Sequence, residues 1–393
     1  MKYSPLLDRI PDYPFRRVGN ISREAQEKDG VGVINARIGI PDMEAPRAVK
    51  EAMAKYLLED KSTFGYPCDV HPERGVPELI EAIIAHYRER HGATLKPENV
   101  FVTGWTKDAL FNLVRLFDRG AVQVPDPVYP VYEGTSVLAG NDVLRVRTGA
   151  DTGWLPEYRL SGPDAGKTVA LYFCDPNNPT GSVAGRGYYD DLLKGLENAD
   201  ACGIFDKAYK DYVFDDETKP LSITEVPGLM ERGFEIVSLS KHYNFVGIGL
   251  GWVVSSADNI KRWMKLASQY GQGVPWYHQM AGVAALTSPE VKAEMAAYWK
   301  ELKERRDVFT RGLQDLGFEV TVPKATPYLW IKVPEGLDDE DFVLNTVIRK
   351  AHVALMPGSY FGANGKGYMR ATIFLSRGEI EEALERLRAV KSW

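Results

Sequence analysis

Between Val100 and Val254 the chain carries seven short apolar runs, and no other feature restricts the fold as much. They occupy residues 100–103, 121–124, 142–146, 169–174, 203–206, 235–239 and 250–254. Each has the length of a strand, and most are apolar throughout instead of alternating with polar residues. Strands of that kind belong to a sheet covered on both faces. Several of the intervening segments have room for helices, so the pattern predicts an α/β fold: a large domain around a mostly parallel, seven-stranded sheet.

Helical periodicity flanks this core. Residues 46–59 and 76–91 repeat apolar side chains at helix spacing, and Gly92 closes the second segment as a helix-ending glycine. Beyond Ser288 the character changes to a long charged helix over 289–317, strands at 319–322, 328–333 and 368–374, and a last helix opened by the capping pair Ser376 and Glu379. This predicts a smaller α+β C-terminal domain. Residues 1–30 hold charges and prolines without clear periodicity and read as an arm lying on a partner or on the domain surface. Residues 31–39 read as a short strand entering a turn at Gly39. The GVG at 30–32 lacks the third glycine and following helix of a dinucleotide fingerprint and reads as a loop. The predicted division is 1–45 as arm and part of the small domain, 46–288 as the large domain and 289–393 as the C-terminal domain.

With 393 residues, 44% hydrophobic and 26% charged, the chain has enough apolar surface for about two domains. A net charge of −6 leaves no broad basic surface for nucleic acid. Cys68, Cys174 and Cys202 show no CxxC spacing, so neither a disulfide framework nor a metal site is expected. The N-terminus lacks the apolar core of a signal peptide, and no run reaches the length of a membrane span. These features predict a cytoplasmic protein with no membrane partner.

Lys241 follows the apolar run from Phe234 to Leu239. Alone, such a lysine is either a side chain reaching for water or a nucleophile. Four motifs elsewhere favour the second reading: DPVYPVY at 126–132, DPNNPTG at 175–181, FDKAYKDY at 205–212 and GYMRATIF at 367–374. With SLSK at 238–241, their content and order resemble the class I/II aminotransferases, the fold-type I enzymes that use pyridoxal 5'-phosphate (PLP). Within that group the chain is most similar to LL-diaminopimelate aminotransferases, through DPVYPVY, PYLWIK at 327–332, and Leu110 and Phe111 after Lys107.

The resemblance implies a PLP-dependent aminotransferase of an α-amino acid and a 2-oxo acid, working through a Lys241 Schiff base. It implies that Asp206 faces the pyridine nitrogen, that Tyr209 and Asn178 bond the phenolate oxygen, and that Tyr129 stacks on the ring. Thr106, Lys107 and Ser238 match the phosphate positions. Arg370 matches the clamp for the substrate carboxylate, with Gly39 and Asn178 close to the substrate. Tyr66 matches a tyrosine lent by the neighbouring subunit, which implies a homodimer with shared active sites. Tyr132, Trp276, Tyr277, His278 and Tyr328 are candidates for a side-chain pocket, with core packing as the alternative.

Two positions depart from the family pattern. The arginine that follows the Schiff-base lysine by eight residues and bonds the phosphate is Gly249 here, and the small residue before the phosphate-binding hydroxyl is Trp105. The two changes are expected to compensate in volume. Lys107 is the nearest replacement cation, and His242 is the second. The loop of residues 62–75 is longer than the family leads one to expect, and its Cys68, Asp69, His71 and Glu73 read as solvated residues able to approach a neighbour's site. The same scaffold hosts lyases, synthases and oxidases, which are the alternative to transamination. A sensor reading has little room, because the residues before Ile34 are too few for a DNA-binding segment.

Overall fold

The computed structural model describes residues 1–59, 65–67, 73–215 and 217–393. Its first strand is Ile34–Asn35 (β1). The large domain then contributes Val100–Thr103 (β2), Ala121–Asp126 (β3), Asp142–Arg147 (β4), Thr168–Cys174 (β5), Cys202–Asp206 (β6), Gly233–Ser238 (β7) and Gly251–Val254 (β8). These seven form one sheet in the order β2-β8-β7-β6-β5-β3-β4. β8 is antiparallel to both neighbours, and the remaining pairs are parallel. Each strand overlaps one of the seven apolar runs.

Burial on both faces explains why those runs lack alternation. Along β5, Ala170, Tyr172 and Cys174 belong to one hydrophobic cluster, and Leu171 and Phe173 to another. The helix Arg186–Ala199 covers the second face with Tyr189, Leu192 and Leu196. The first cluster includes Ile83, Leu110, Tyr132 and Ala281 from helices Pro77–His91, Thr106–Leu113, Val131–Leu138 and Trp276–Thr287. Side chains still alternate with a period of two, but both directions lead into dry packing.

The smaller domain holds the four-stranded antiparallel sheet β12-β13-β10-β9, formed by Val320–Thr321 (β9), Tyr328–Lys332 (β10), Met356–Pro357 (β12) and Tyr368–Thr372 (β13). Val353–Ala354 (β11) pairs in parallel with β1, which ties the N-terminal segment to this domain. The helix Pro289–Asp315 and the capped helix Arg377–Ala389 pack together on it. Ser376 and Glu379 form the expected capping box.

Residues 1–30 differ from the expectation of an aperiodic arm. Pro14–Asp29 is a helix, ended by Gly30 at φ 68°, and it packs against the small-domain segment Phe342–Ile348. Its buried residues are Val18, Ser22 and Ala25. A stripe that narrow, with a serine in it, gives almost no apolar repeat in the sequence. Cys174 and Cys202 are free and buried. Cys68, Asp69 and His71 lie outside the described residues, whereas Glu73 is described and exposed. Among the described residues, no helix is long and apolar enough to cross a membrane.

Candidate active site

The carboxyl ends of the parallel strands share one edge of the sheet, where α/β proteins bind their ligands. β2 leads through Trp105 into helix Thr106–Leu113, β3 precedes Tyr129, and β5 precedes Asn178. β6 ends on Asp206, and β7 ends at Ser238, just before Lys241. A cavity of about 430 Å³ lies at this edge. Thr106, Lys107, Tyr129 and Ser238 line it together with Asp206, Tyr209 and Lys241. Gly39, Asn178 and Arg370 close it from the N-terminal segment, the β5 loop and β13.

Lys241 is partly buried, and its Nζ donates to the carbonyl oxygen of Gly39. Burial, reinforced by the Arg370 charge and opposed by Asp206, pulls its pKa down to about 8. Asp206 is buried at the strand end. Its Oδ2 accepts from the Tyr132 hydroxyl at 2.7 Å and its Oδ1 from the Ala208 N–H at 3.1 Å. Burial pushes this carboxyl upward, against the pull of those two donors and of the Lys207 and Lys241 charges.

Arg370 is 1% exposed. Its Nη1 donates to Asn178 Oδ1 at 2.6 Å and its Nη2 to the Arg37 carbonyl at 2.6 Å, while Nε has no hydrogen-bond partner among the described residues. The guanidinium carbon lies 4.0 Å from the centre of the Tyr328 ring, a cation–π contact. The Tyr328 and Tyr209 hydroxyls are 2.8 Å apart. Gly39 admits this arrangement because a β-carbon there would stand 2.0 Å from the Tyr328 hydroxyl.

At the other end, Ser238 caps a short turn, its Oγ accepting from the Ser240 N–H at 3.1 Å. Lys107 Nζ lies 5.1 Å from the centre of the Tyr13 ring. Trp105 also lines this end and donates from Nε1 to the Val246 carbonyl at 3.1 Å. A β-carbon at Gly249 would lie 2.3 Å from Trp105 Cε2, so the indole already fills that space.

The loop bearing Asn178 rests on a buried polar cluster. Asp175 Oδ2 accepts from Lys207 Nζ at 2.7 Å and from the Tyr189 hydroxyl at 2.5 Å, while its Oδ1 accepts from the Ala184 N–H at 2.9 Å. Lys207 in FDKAYKDY therefore faces away from the cavity and fixes the geometry of a neighbouring loop.

Some sequence candidates are elsewhere. Tyr66 is 60% exposed and outside the cavity lining. His242 also lies outside it, its ring 4.8 Å from that of Trp299, and burial lowers its pKa to about 4. Of the two replacement cations, Lys107 is the one at the cavity. Trp276 packs on Tyr56 at 5.0 Å, and Tyr277 and His278 share its helix away from the lining. Tyr328 does line the cavity, and Tyr132 meets it through Asp206. Sequence reasoning missed Tyr13, Phe15, Ile38, Ile40 and Val246 as lining residues. Tyr13, whose hydroxyl is 3.3 Å from that of Tyr129, precedes the unrecognised N-terminal helix, and no local pattern announces its position.

Residues 31–387 match the family model described as aminotransferase class I and II. The chain is 32% identical over 393 residues to LL-diaminopimelate aminotransferase 2 of Nostoc sp., covering 99% of this chain and 98% of that protein. Substrate-bound BacF from Bacillus subtilis superposes with a TM-score of 0.91 at 28% identity, covering 100% of this chain and 98% of that one. The aromatic aminotransferase from Pyrococcus horikoshii gives a TM-score of 0.82 at 27% identity, covering 94% and 98%. With a lysine, a strand-end carboxylate and a buried arginine converging on one cavity, and with family-wide similarity along the chain, this protein belongs to the class I and II aminotransferases, PLP-dependent enzymes that act on amino acids.

Proposed function

We propose that this enzyme transfers the amino group of an α-amino acid to a 2-oxo acid, with PLP held on Lys241. The observation that carries the assignment is Lys241 Nζ in a cavity that also presents a buried carboxylate, Asp206, and a buried guanidinium, Arg370. The donor set fits the cofactor: an amine with its pKa pulled to about 8 for covalent attachment, an acid for the ring nitrogen, and hydroxyl, ammonium and helix-terminal N–H donors at Thr106, Lys107 and Ser238 for the phosphate. When bound, PLP supplies an aldehyde that exchanges amines and a ring that takes up the electron pair left by the departing α-proton.

The protein residues do the remaining work. Lys241, its pKa drawn down to about 8, acts as the free amine to remove the proton from the substrate α-carbon and return it at the next position. Asp206 ionises opposite a cationic ring nitrogen and holds that charge in place. Arg370 grips the α-carboxylate as a fork, with Asn178 and the Arg37 carbonyl fixing its plane. Tyr129 offers a ring face, and Tyr209 and Asn178 offer polar groups to the edge of the cofactor. We place the enzyme in the cytoplasm as a homodimer, in which exposed Tyr66 is available to complete the site of a second copy.

Single turnover tests this reading. Purified enzyme loaded with PLP and given an amino acid alone should release one 2-oxo acid per site and stop, resuming only when an acceptor 2-oxo acid is added. Continuous release with ammonia would instead identify a lyase. Borohydride followed by peptide mass mapping should leave the pyridoxyl group on Lys241.

A further inference from the structure

Trp105 has an unusual combination of properties. It is a large aromatic residue, 49% exposed, yet its indole is pinned at both ends. Nε1 is bonded to the Val246 carbonyl at 3.1 Å, and the six-membered ring lies over Gly249. Gly249 is held at φ 67°, where any β-carbon is strained, and such a carbon would also fall 2.3 Å from Trp105 Cε2 and 2.6 Å from Cζ2. The two positions are therefore interlocked: the indole needs a glycine beneath it, and the indole fills the space that the glycine leaves.

The charge at this end of the cavity follows from the same geometry. The cationic side chains lining the cavity, among the described residues, are Lys107, Lys241 and Arg370. Lys241 is directed to the Gly39 carbonyl, and Arg370 to Asn178 and Arg37. The indole N–H is already committed to Val246. Lys107, two residues after Trp105, is thus the cation left for a doubly charged phosphate.

Resting on the cofactor reading above, we propose that Trp105 and Gly249 form a rigid neutral wall at the phosphate end of the site, and that Lys107 alone supplies the positive charge there. Trp105 acts by shape, excluding water and confining the phosphate against Thr106 and Ser238. Cofactor retention then depends on one flexible, solvent-reaching lysine instead of a buried fork.

A combined stability and binding cycle tests the wall and the charge separately. In cofactor-free protein, Gly249→Ala should lower Tm. In a Trp105→Ala background the same change should cost much less, because only the backbone strain remains. Equilibrium titration with PLP, followed by absorbance and tryptophan quenching, should give a Kd about tenfold or more weaker for Lys107→Ala, the loss anticipated for one charge-assisted contact. Gly249→Arg alone should weaken binding and lower Tm, whereas Trp105→Ala/Gly249→Arg should bind more tightly than Trp105→Ala. Additive Tm effects, unchanged affinity in Lys107→Ala, or tighter binding by Gly249→Arg at unchanged Tm would overturn the proposal. If the unmodified protein takes up no PLP at all, the cofactor reading falls, and the Tm cycle still decides whether the two residues interlock.

Discussion

Arg370 Nη1 and Asn178 Oδ1 are 2.6 Å apart although 192 positions separate them in the chain. One sits on β13 of the small domain and the other on the loop after β5 of the large domain, so this bond, like the Tyr209–Tyr328 contact, joins the two walls of the cavity. Asn178→Ala should loosen the guanidinium and reduce kcat/KM for the amino acid by roughly tenfold, from the loss of a charge-assisted bond of about 1.5–3 kcal/mol partly offset by water. Arg370→Lys should be worse, because an ammonium cannot reproduce the fork. Steady-state kinetics on both variants would refute the link if KM and kcat/KM stayed at the wild-type values for Asn178→Ala.

Tyr132 donates to Asp206 and thereby lowers the pKa of a carboxyl that burial raises. Tyr132→Phe removes that donor, so the carboxyl pKa should climb further and the acidic limb of the kcat/KM profile should move to higher pH. Activity should fall more at low pH than at high pH. An unshifted profile in which kcat/KM drops equally at every pH would mean that the hydroxyl serves only packing.

Lys241 gives the cofactor-free protein a characteristic pH dependence. Its folded pKa is pulled to about 8, while an unfolded lysine titrates near ~10.4. Between those values the unfolded chain binds more protons than the native state, so stability rises with pH through that window. The penalty is fully present below the folded value and relieved above the unfolded one. Urea denaturation from pH 7 to 10.5 should show this rise in the wild type and lose that component in Lys241→Met. Parallel curves would contradict the lowered pKa.

Lys207 and Asp175 are a buried pair, with side chains 0% and 1% exposed, and Tyr189 as a third member. Lys207→Met leaves the carboxylate buried without its cation, and the expected loss is about 3–5 kcal/mol of stability. Because Asp175 opens the loop that carries Asn178, affinity for the amino acid should weaken as well. Chemical denaturation giving a loss below about 1 kcal/mol would show that the pair is dispensable.

Much of this was legible beforehand. The seven strands stood out because a sheet packed on both faces needs apolar side chains at nearly every position, and Asp206 was recognisable as the polar end of such a run. The helix Pro14–Asp29 was not legible, since three buried positions among charged neighbours carry too weak a repeat. Tyr13 and Phe15 were lost from the site with it.

The sequence alone determined the α/β class and the strand positions, because these depend on local composition, and the resemblance of its ordered motifs to the aminotransferases pointed to Lys241, Asp206 and Arg370 as the amine, carboxylate and guanidinium of the site. Folding decided the rest: that Tyr132 meets Asp206, that Arg370 reaches Asn178, and that Lys207 turns to Asp175. Those relations are set by the direction in which side chains leave packed elements far apart in the chain, and local sequence does not encode that direction.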